Sequence, residues 1–343
     1  MRIARLVTLA ALLAVTALLT APATAAPGGL TGDLAAHDPA LVAGAPGQPW
    51  YVFATGEPGV GGGTIQIRTS VDGRTWRFAG TVWDAIPEWL RTAVPGVGNL
   101  WAPELHRHGG TYYLYYAASV FGTNTSVIAL ATNTTLDPAD PHYTWVDRGP
   151  VVRSGPADEF NAIDPGVVED EHGTPWMAFG SFWSGIRMVR LEWPSGLPAP
   201  GAEGLVRLAD RRADPNAVEA AYVVRRGGWY YLFTSWGQCC KGLESDYRIV
   251  VGRSAAVTGP YADRDGRRLL DGGGTTLLAT AGDRVGPGGQ SVSGPTIAYH
   301  YYDATAGGAY RMALRRIGWT GDGWPVLRPD DRAVDDRASP AEH

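Results

Sequence analysis

The chain has 343 residues, of which 34 are acidic and 29 are basic, and its formal net charge at pH 7 is −5. This balance argues against a nucleic-acid or anionic-membrane partner, because both require a basic face. The 46 Gly and 25 Pro residues separate short runs rich in Val, Thr, Tyr and Trp. Long apolar segments with the 3.6-residue period of helices are missing, so the composition favours an all-β protein.

The N-terminus has the pattern of a secretory signal peptide, residues 1–25. Arg2 and Arg5 precede the apolar residues 6–19, and small residues follow at positions 21–26. A basic start, a short apolar run and a small-residue cleavage pattern are typical of export signals. The run is also shorter than the roughly 20 residues that span a bilayer. We therefore expect a secreted, extracellular protein with no membrane partner.

One phrase recurs along the chain: an acidic residue or its substitute, a short apolar strand, a Gly-containing turn, and an aromatic strand that ends in a small residue. Four clear copies and one degenerate copy begin near His37, Trp101, Ile163, Val218 and Ser293. Self-similarity with a spacing of about 40 to 60 residues is typical of solenoids and propellers. Each copy supplies two strands of one repeating unit.

The sequence after each of the first four copies supplies candidates for two further strands. They lie at residues 63–70, 76–82, 126–132, 144–148, 186–191, 204–208, 248–253 and 260–261. Four short antiparallel strands per unit, in five units, predict a five-bladed β-propeller over residues 33–325. We expect one domain, because all-β folds of this size often form a single one. The charged, apolar-poor tail at residues 329–343 is predicted to be disordered.

The repeats predict a cluster of carboxylates, because the leading strands of propeller blades line one central axis. Aligned by their turns, the five copies place these residues at one shared position: Asp38, Trp101, Asp164, Glu219 and Gly294. Glu104 falls three positions later and is predicted to lie on a flank. Like charges at close range separate their pKa values, so one carboxyl stays protonated while another is ionised. Cleavage of a glycosidic bond needs such an acid and base.

The two cysteines of the chain, Cys239 and Cys240, are sequence neighbours. Export permits a disulfide, but a ring closed between neighbours rarely matches the Cα separation that disulfides prefer. We expect two buried or partly buried thiols, with a vicinal disulfide as the alternative.

Seven short segments carry the motifs of one family. They are His37-Asp38-Pro39, Leu100-Trp101-Ala102-Pro103, Asn161-Ala162-Ile163-Asp164-Pro165, Ser181-Phe182-Trp183-Ser184-Gly185-Ile186, Glu219-Ala220-Ala221-Tyr222, Cys239-Cys240-Lys241-Gly242 and Tyr299-His300-Tyr301-Tyr302-Asp303. Together they resemble glycoside hydrolase family 43 and, within it, the secreted arabinan endo-1,5-α-L-arabinosidases. The resemblance covers residues 33–325. Two segments depart from the family pattern: Ala221 stands where Pro is commoner, and residues 285–290 stand where many relatives have a Gly-His pair.

The resemblance implies an inverting hydrolysis of internal α-1,5 links in linear arabinan and arabino-oligosaccharides. Asp38 would be the general base that activates water, and Glu219 the general acid that protonates the leaving oxygen. Asp164 would orient Glu219 and keep its pKa raised. In inverting enzymes the acid and base carboxyls lie about 6.5 to 9.5 Å apart, which leaves room for the water.

The resemblance also implies a set of substrate-binding residues and a metal. Trp101, Phe121 and Trp183 would form stacking walls, the Gly122 backbone would approach the substrate, and Asn161 and Ser181 would bind sugar hydroxyls. Three neighbours within the matching motifs complete the predicted binding set: Ala162, Ile163 and Phe182. His300 matches a family histidine that holds a calcium ion on the propeller axis, largely through waters.

Two other functions remain open at this point. An exo-acting α-L-arabinofuranosidase or β-xylosidase of the same family would use the same three acids in a groove closed at one end. A carbohydrate-binding propeller without catalysis would keep the aromatic residues but would not need the acids. In each case the expected partner is a carbohydrate and the expected state is a monomer.

Overall fold

The computed structural model describes residues 29–202 and 204–328. The predicted signal peptide and the predicted disordered tail lie outside these residues. Within the two described ranges, no helix combines the length and the apolar character needed to cross a bilayer.

In the described part of the chain, the strands form five sheets, one for each blade. In chain order the strands are β1 (Thr31–Gly32), β2 (Ala40–Val42), β3 (Trp50–Ala54), β4 (Gln66–Ser70) and β5 (Thr75–Thr81) in blade one; β6 (Leu100–His108), β7 (Thr111–Ala118), β8 (Ser126–Asn133) and β9 (Val146–Ser154) in blade two; β10 (Gly166–Glu169), β11 (Pro175–Phe179), β12 (Ile186–Glu192), β13 (Leu197–Pro198) and β14 (Val206–Ala209) in blade three; β15 (Val218–Arg226), β16 (Trp229–Trp236), β17 (Arg248–Ser254) and β18 (Thr275–Leu278) in blade four; and β19 (Arg284–Ser293), β20 (Thr296–Asp303), β21 (Ala309–Trp319) and β22 (Pro325–Leu327) in blade five. One short helix, α1 (Glu88–Ala93), connects blades one and two.

Each blade is an antiparallel meander in which sequential strands are neighbours, apart from two additions. The strand β1 pairs in parallel with the outer strand β5, and β13 is a short strand that pairs with β12. This arrangement is the predicted five-bladed β-propeller, so the predicted fold class is confirmed.

The hydrophobic core is divided among the five interfaces between adjacent blades. One cluster joins blades one and two through Phe53 and Leu114, and corresponding clusters join the remaining pairs of blades. The middle strands are covered on both faces, and every residue of β8 is buried. This two-sided burial explains why the middle strands read as short continuous apolar runs.

The ring closes between blades five and one without a shared strand. The backbone amides of Leu41 and Ala43 donate to the hydroxyls of Ser291 and Ser293, at 3.0 Å in both cases. The apolar cluster at this interface includes Val52 from blade one and Ala298 and Met312 from blade five. Side-chain hydroxyls therefore satisfy amides of the inner strand where two sheets meet.

The prediction for blade five was wrong by one strand. The degenerate copy near Ser293 supplies the second strand, β20, whereas the inner strand is β19, which begins at Arg284. The fourth strand of blade four was also misplaced, because it is β18 and not residues 260–261. Tyr261 instead fills the apolar cluster between blades three and four.

A left-handed residue stands at an equivalent position in all five blades, inside the inner strand in blades two, four and five and two residues before it in blades one and three. The residues and their φ angles are Asp38 (50°), Ala102 (38°), Asp164 (57°), Ala220 (53°) and Gly289 (60°). Each lies two residues before the first of the regular pairs Ala40↔Phe53, Glu104↔Tyr115, Gly166↔Ala178, Tyr222↔Phe233 and Ser291↔Ala298. Positive φ is uncommon for residues other than Gly, and such strain clusters at functional sites.

This kink corrects the predicted alignment of the carboxylates. Asp38 and Asp164 occupy the left-handed position, but Ala220 occupies it in blade four, so Glu219 lies one residue earlier. Trp101 is equivalent to Glu219, and the blade-five residue at the kink is Gly289, not Gly294. The turn alignment failed because it did not include the irregular pairing at the start of these strands.

Candidate active site

A cavity of about 910 Å³ lies at the end of the axis where the inner strands begin. Loops of all five blades contribute to its lining. The predicted site residues in this lining are Asp38, Trp101, Phe121, Gly122, Asn161, Ile163, Asp164, Ser181, Phe182, Trp183 and Glu219. Ala162 does not line the cavity, because its side chain is buried in the cluster between blades two and three.

The contacts of Asp38 favour its ionised carboxylate. His37 Nδ1 lies 2.8 Å from Asp38 Oδ2, and the Thr55 hydroxyl donates to the same oxygen at 2.7 Å. Burial alone would raise the pKa of Asp38, but the charge and hydrogen bond of His37 and the hydroxyl of Thr55 hold this pKa well below its usual range. A carboxylate with such partners remains ionised and can accept a proton from water.

Asp164 and Glu219 form a pair of carboxyl groups whose surroundings favour the protonated state. Burial, followed by the charges of Glu219 and Asp38, raises the pKa of Asp164 well above its usual range. Burial is also the main cause that raises the pKa of Glu219. Two interacting carboxyls lose their protons in steps that belong to the pair, so this pair retains a proton where an isolated carboxyl would be ionised.

Two hydroxyls hold the carboxyl group of Glu219. The Ser181 hydroxyl donates to Glu219 Oε2 at 2.5 Å, and the Tyr247 hydroxyl donates to Glu219 Oε1. Ser181 was predicted to bind a sugar hydroxyl, but in this structure its partner is Glu219. Tyr247 was not predicted, because it lies in a loop outside the repeated phrase.

The small residue that ends each repeated phrase is the signal that would have found the supporting hydroxyls. Thr55 donates to Asp38, Ser181 donates to Glu219, and Ser235 donates to Gln290 Oε1 at 2.9 Å. In blade two, Ser119 contacts Ser126, whose hydroxyl donates to Asn161 Oδ1 at 2.7 Å. In blades one, three and four, a hydroxyl at or just after the end of the second strand therefore holds a polar side chain in or next to an inner strand.

Aromatic side chains are exposed at the wall formed by blades two and three. Phe121 is 79% exposed and Trp183 is 40% exposed, while Trp101 is half-buried at the start of β6. Exposed rings of this size beside a polar centre are typical of binding surfaces. They offer apolar faces for the C–H surface of a sugar.

The two cysteines form a vicinal disulfide in the wall of the cavity, so the favoured prediction of two thiols was wrong. Cys240 Sγ lies 3.9 Å from His37 Nε2, and the backbone amide of Cys240 donates to the Tyr302 hydroxyl at 2.6 Å. The disulfide turn therefore rests against the histidine that contacts Asp38.

Glu104 lies on the axis beneath the site and not on a flank, which corrects its predicted position. Its side chain is 3% exposed and lines a small cavity of about 30 Å³ together with Asp38, Asp164 and Ser291. A cavity of this volume can hold one or two waters. Burial raises the pKa of Glu104 to about 8.

The surroundings of His300 fit a cation on the axis. His300 is fully buried, and its Nε2 is among the buried polar atoms of the described residues that have no hydrogen-bond partner. Its Nδ1 lies 3.2 Å from the backbone nitrogen of Asp38, and its ring stacks on His37. A Cβ on Gly289 would lie 2.3 Å from Asp38 Oδ1 and 2.7 Å from the His300 ring, so glycine keeps this space open.

The family model "Glycosyl hydrolases family 43" matches residues 32–325. The chain is 39% identical over 313 residues to the extracellular exo-α-(1→5)-L-arabinofuranosidase ArbA of Cellvibrio japonicus, with 87% of each chain covered. It is 38% identical over 307 residues to the extracellular endo-α-(1→5)-L-arabinanase 1 of Bacillus subtilis, with 89% of this chain and 91% of that relative covered.

Among solved structures, the chain is similar to the α-L-arabinanase of Cellvibrio cellulosa complexed with arabinohexaose. The TM-score is 0.80 at 36% identity, and 90% of this chain and 99% of that chain are covered. The motifs and the propeller fold agree with these comparisons. The chain belongs to glycoside hydrolase family 43.

Proposed function

We propose that this protein is a secreted, monomeric endo-hydrolase of linear α-1,5-L-arabinan that inverts the anomeric carbon. The observation that carries the proposal is that carboxyl groups lining one cavity have pKa values shifted in opposite directions. The pKa of Asp38 is held low, whereas the pKa values of Asp164 and Glu219 are raised. One ionised base and one protonated acid are what a direct displacement at a glycosidic carbon requires.

In the proposed reaction, Asp38 takes a proton from a water as that water attacks the anomeric carbon. The bond from this carbon to the glycosidic oxygen breaks, and Glu219 gives its proton to that oxygen. Asp38 ends protonated and Glu219 ends as a carboxylate. Before the next turnover, Asp38 releases its proton to bulk water and Glu219 takes one up from it. Asp164 disfavours early loss of the Glu219 proton, since two carboxylates in one buried site repel each other.

We also propose a calcium ion held at His300, with waters as the remaining ligands, because Ca²⁺ prefers oxygen. The space that Gly289 leaves beside Asp38 Oδ1 and the fully buried His300 ring supports this site. A bound cation would supply a fixed positive charge on the axis.

The substrate class rests on the aromatic wall and on the named activities of the relatives. A relative that acts on α-(1→5)-linked arabinan chains from within and one that acts from an end are almost equally similar to this chain. The exo-acting α-L-arabinofuranosidase therefore remains a specific second candidate. The extracellular relatives and the signal-like N-terminus support secretion.

Digestion of debranched arabinan tests the proposal. A series of arabino-oligosaccharides of mixed length at early times is expected for endo action, whereas release of arabinose alone would assign exo action. Proton NMR of the first product should show the inverted anomer before mutarotation. The Asp38→Ala and Glu219→Ala variants should release no oligosaccharide. Wild-type protein that binds arabinan without releasing sugars would instead support the carbohydrate-binding alternative.

A further inference from the structure

Tyr247 is a buried side chain that contacts the proposed general acid from outside the repeated phrases. It lies at the end of the loop between β16 and β17 and is 3% exposed. Its hydroxyl donates to Glu219 Oε1, while Ser181 donates to Glu219 Oε2 at 2.5 Å. Both oxygens of the acid therefore have a hydroxyl partner.

The ring of Tyr247 is confined by the inner strand of blade five. A Cβ on Gly288 would lie 2.1 Å from Tyr247 Cδ1 and 2.4 Å from Cε1, so a larger residue at position 288 would displace the ring. On another side, the ring stacks on His300 with a centroid distance of 5.9 Å. This packing gives a physical reason for glycine at this position of β19.

Hydrogen bonds within the preceding loop fix the backbone that carries Tyr247. The amide of Gln238 donates to Asp246 Oδ1 at 2.6 Å, and the amide of Asp246 donates to the Gln238 carbonyl at 3.2 Å. The amide of Lys241 donates to the Ser245 hydroxyl at 3.1 Å. The loop is thus closed on itself directly before Tyr247, and both ends of this side chain are held.

We propose that Tyr247 is a positioning residue for proton donation by Glu219, an inference that rests on the proposed hydrolytic function. With the Tyr247 hydroxyl donating to Oε1, the acid proton occupies Oε2. The Ser181 hydroxyl can keep donating to Oε2, because a protonated carboxyl group retains acceptor capacity, and the acid proton is then free to point at the glycosidic oxygen. As the glycosidic bond breaks, the proton passes from Oε2 to the leaving oxygen.

The same hydrogen bond becomes stronger during the reaction. Glu219 gains negative charge as it loses its proton, and hydrogen bonds to charged groups are about twice as strong as neutral ones. An interaction that is stronger in the transition state than in the bound substrate raises kcat and leaves KM nearly unchanged. Tyr247→Phe should therefore lower kcat on arabino-oligosaccharides by about 10- to 100-fold, with KM changed less than about twofold.

Leaving-group dependence separates this role from a structural one. Aryl α-1,5-arabinotriosides can be made with phenol, a poor leaving group, or with 2,4-dinitrophenol, which departs without being protonated. Tyr247→Phe should lower kcat strongly on the phenyl substrate and little on the dinitrophenyl substrate. An equal loss on both substrates, or no loss on either, would overturn the proposal. If the wild-type protein cleaves neither substrate nor arabinan, the proposed function itself fails.

Two further variants complete the test. Tyr261→Phe is a matched control, because the buried Tyr261 hydroxyl donates to the Val257 carbonyl at 2.7 Å, outside the cavity. It should leave the dependence on leaving group unchanged. Gly288→Ala keeps the Tyr247 hydroxyl but displaces its ring, and in folded protein it should reproduce the selective loss on the phenyl substrate. A Gly288→Ala variant with the wild-type dependence would count against the proposal.

Discussion

The backbone amide of Ala220 donates a hydrogen bond to Asp164 Oδ2 at 2.9 Å, which fixes the third acid to the residue that directly follows Glu219. The same Ala220 holds the left-handed conformation of the blade-four strand. The kink thus orients Glu219 and supplies the amide that orients Asp164. One irregular residue couples the positions of two carboxyls.

Asp164→Asn should move the alkaline limb of kcat/KM to lower pH. The alkaline limb reports loss of the last proton shared by Asp164 and Glu219, whose pKa values are both raised. A neutral Asn removes the repulsion that opposes this loss, so Glu219 ionises at a lower pH and ceases to act as an acid. The pH dependence of kcat/KM on arabino-oligosaccharides measures the effect. Asp170→Asn, in the turn after β10, is the control, and an unchanged alkaline limb in Asp164→Asn would contradict the prediction.

Thr55→Val should move the acid limb of kcat/KM to higher pH by roughly one unit. Thr55 donates to Asp38 Oδ2 at 2.7 Å, and this bond favours the ionised carboxylate. Its loss is worth about 1 to 2 kcal/mol, or about one pKa unit. Because the base must be ionised to accept a proton, activity should disappear at a higher pH on the acid side.

Thr234→Val provides the matched control for this substitution. Thr234 is fully buried, and its hydroxyl is among those in the described residues without a hydrogen-bond partner. The same change of shape at Thr234 should therefore leave the acid limb in place. Equal displacement of the limb in both variants would assign the effect to packing and not to the hydroxyl that contacts Asp38.

The fold was largely predictable because four repeats combine an apolar inner strand with an aromatic second strand. Blade five departs from this pattern because its inner strand has glycines next to the side chains of the site. Gly288 leaves room for Tyr247, and Gly289 leaves room for Asp38 and His300. These glycines remove the apolar pattern of an inner strand, so the alignment began the blade at Ser293. The apolar pattern of inner strands fails here because Gly288 and Gly289 are required by the site and not by the strand.

The candidate site was predictable in its residue types but not in its geometry. The phrase found Asp38, Asp164 and Glu219, yet the left-handed kink moves Glu219 one residue from the position that the other two share. Tyr247 reaches Glu219 from a loop between strands, and a contact between distant segments leaves no local pattern. Glu104 is an acid on an inner strand, and its burial follows from ring closure, which the single strand does not encode.

Phe121→Ala should raise KM on arabinan by about 5- to 30-fold, with little loss of stability. Phe121 is 79% exposed in the cavity wall, so its removal creates no core void. Loss of one stacking ring is worth about 1 to 2 kcal/mol in binding. Initial rates over a range of arabinan concentrations measure the effect. Phe78→Ala, which removes a 42% exposed ring from the outer strand β5, should leave KM unchanged. A similar rise of KM in both variants would refute a stacking role for Phe121.

The free energy of unfolding of the wild-type protein should fall as pH rises from about 5 to 8 because of Glu104, and Glu104→Gln should remove this contribution. Burial raises the pKa of Glu104 in the folded state to about 8, from an ordinary value of 4.5. Between these values the unfolded chain has an ionised Glu104 while the folded protein retains the proton. The free energy of unfolding therefore falls with rising pH, by up to about 1.4 kcal/mol per unit for this group. Above the folded-state pKa, the contribution becomes constant.

Urea unfolding at pH 5, 6, 7 and 8 measures this contribution of Glu104. The difference in unfolding free energy between Glu104→Gln and wild type should increase in favour of the variant as pH rises, because Gln has no proton to lose. Glu88→Gln is the control, since the Glu88 side chain is 88% exposed. If the Glu104→Gln and wild-type curves remain parallel over this range, then Glu104 is ionised in the folded protein and the axial cavity is more hydrated than its lining indicates.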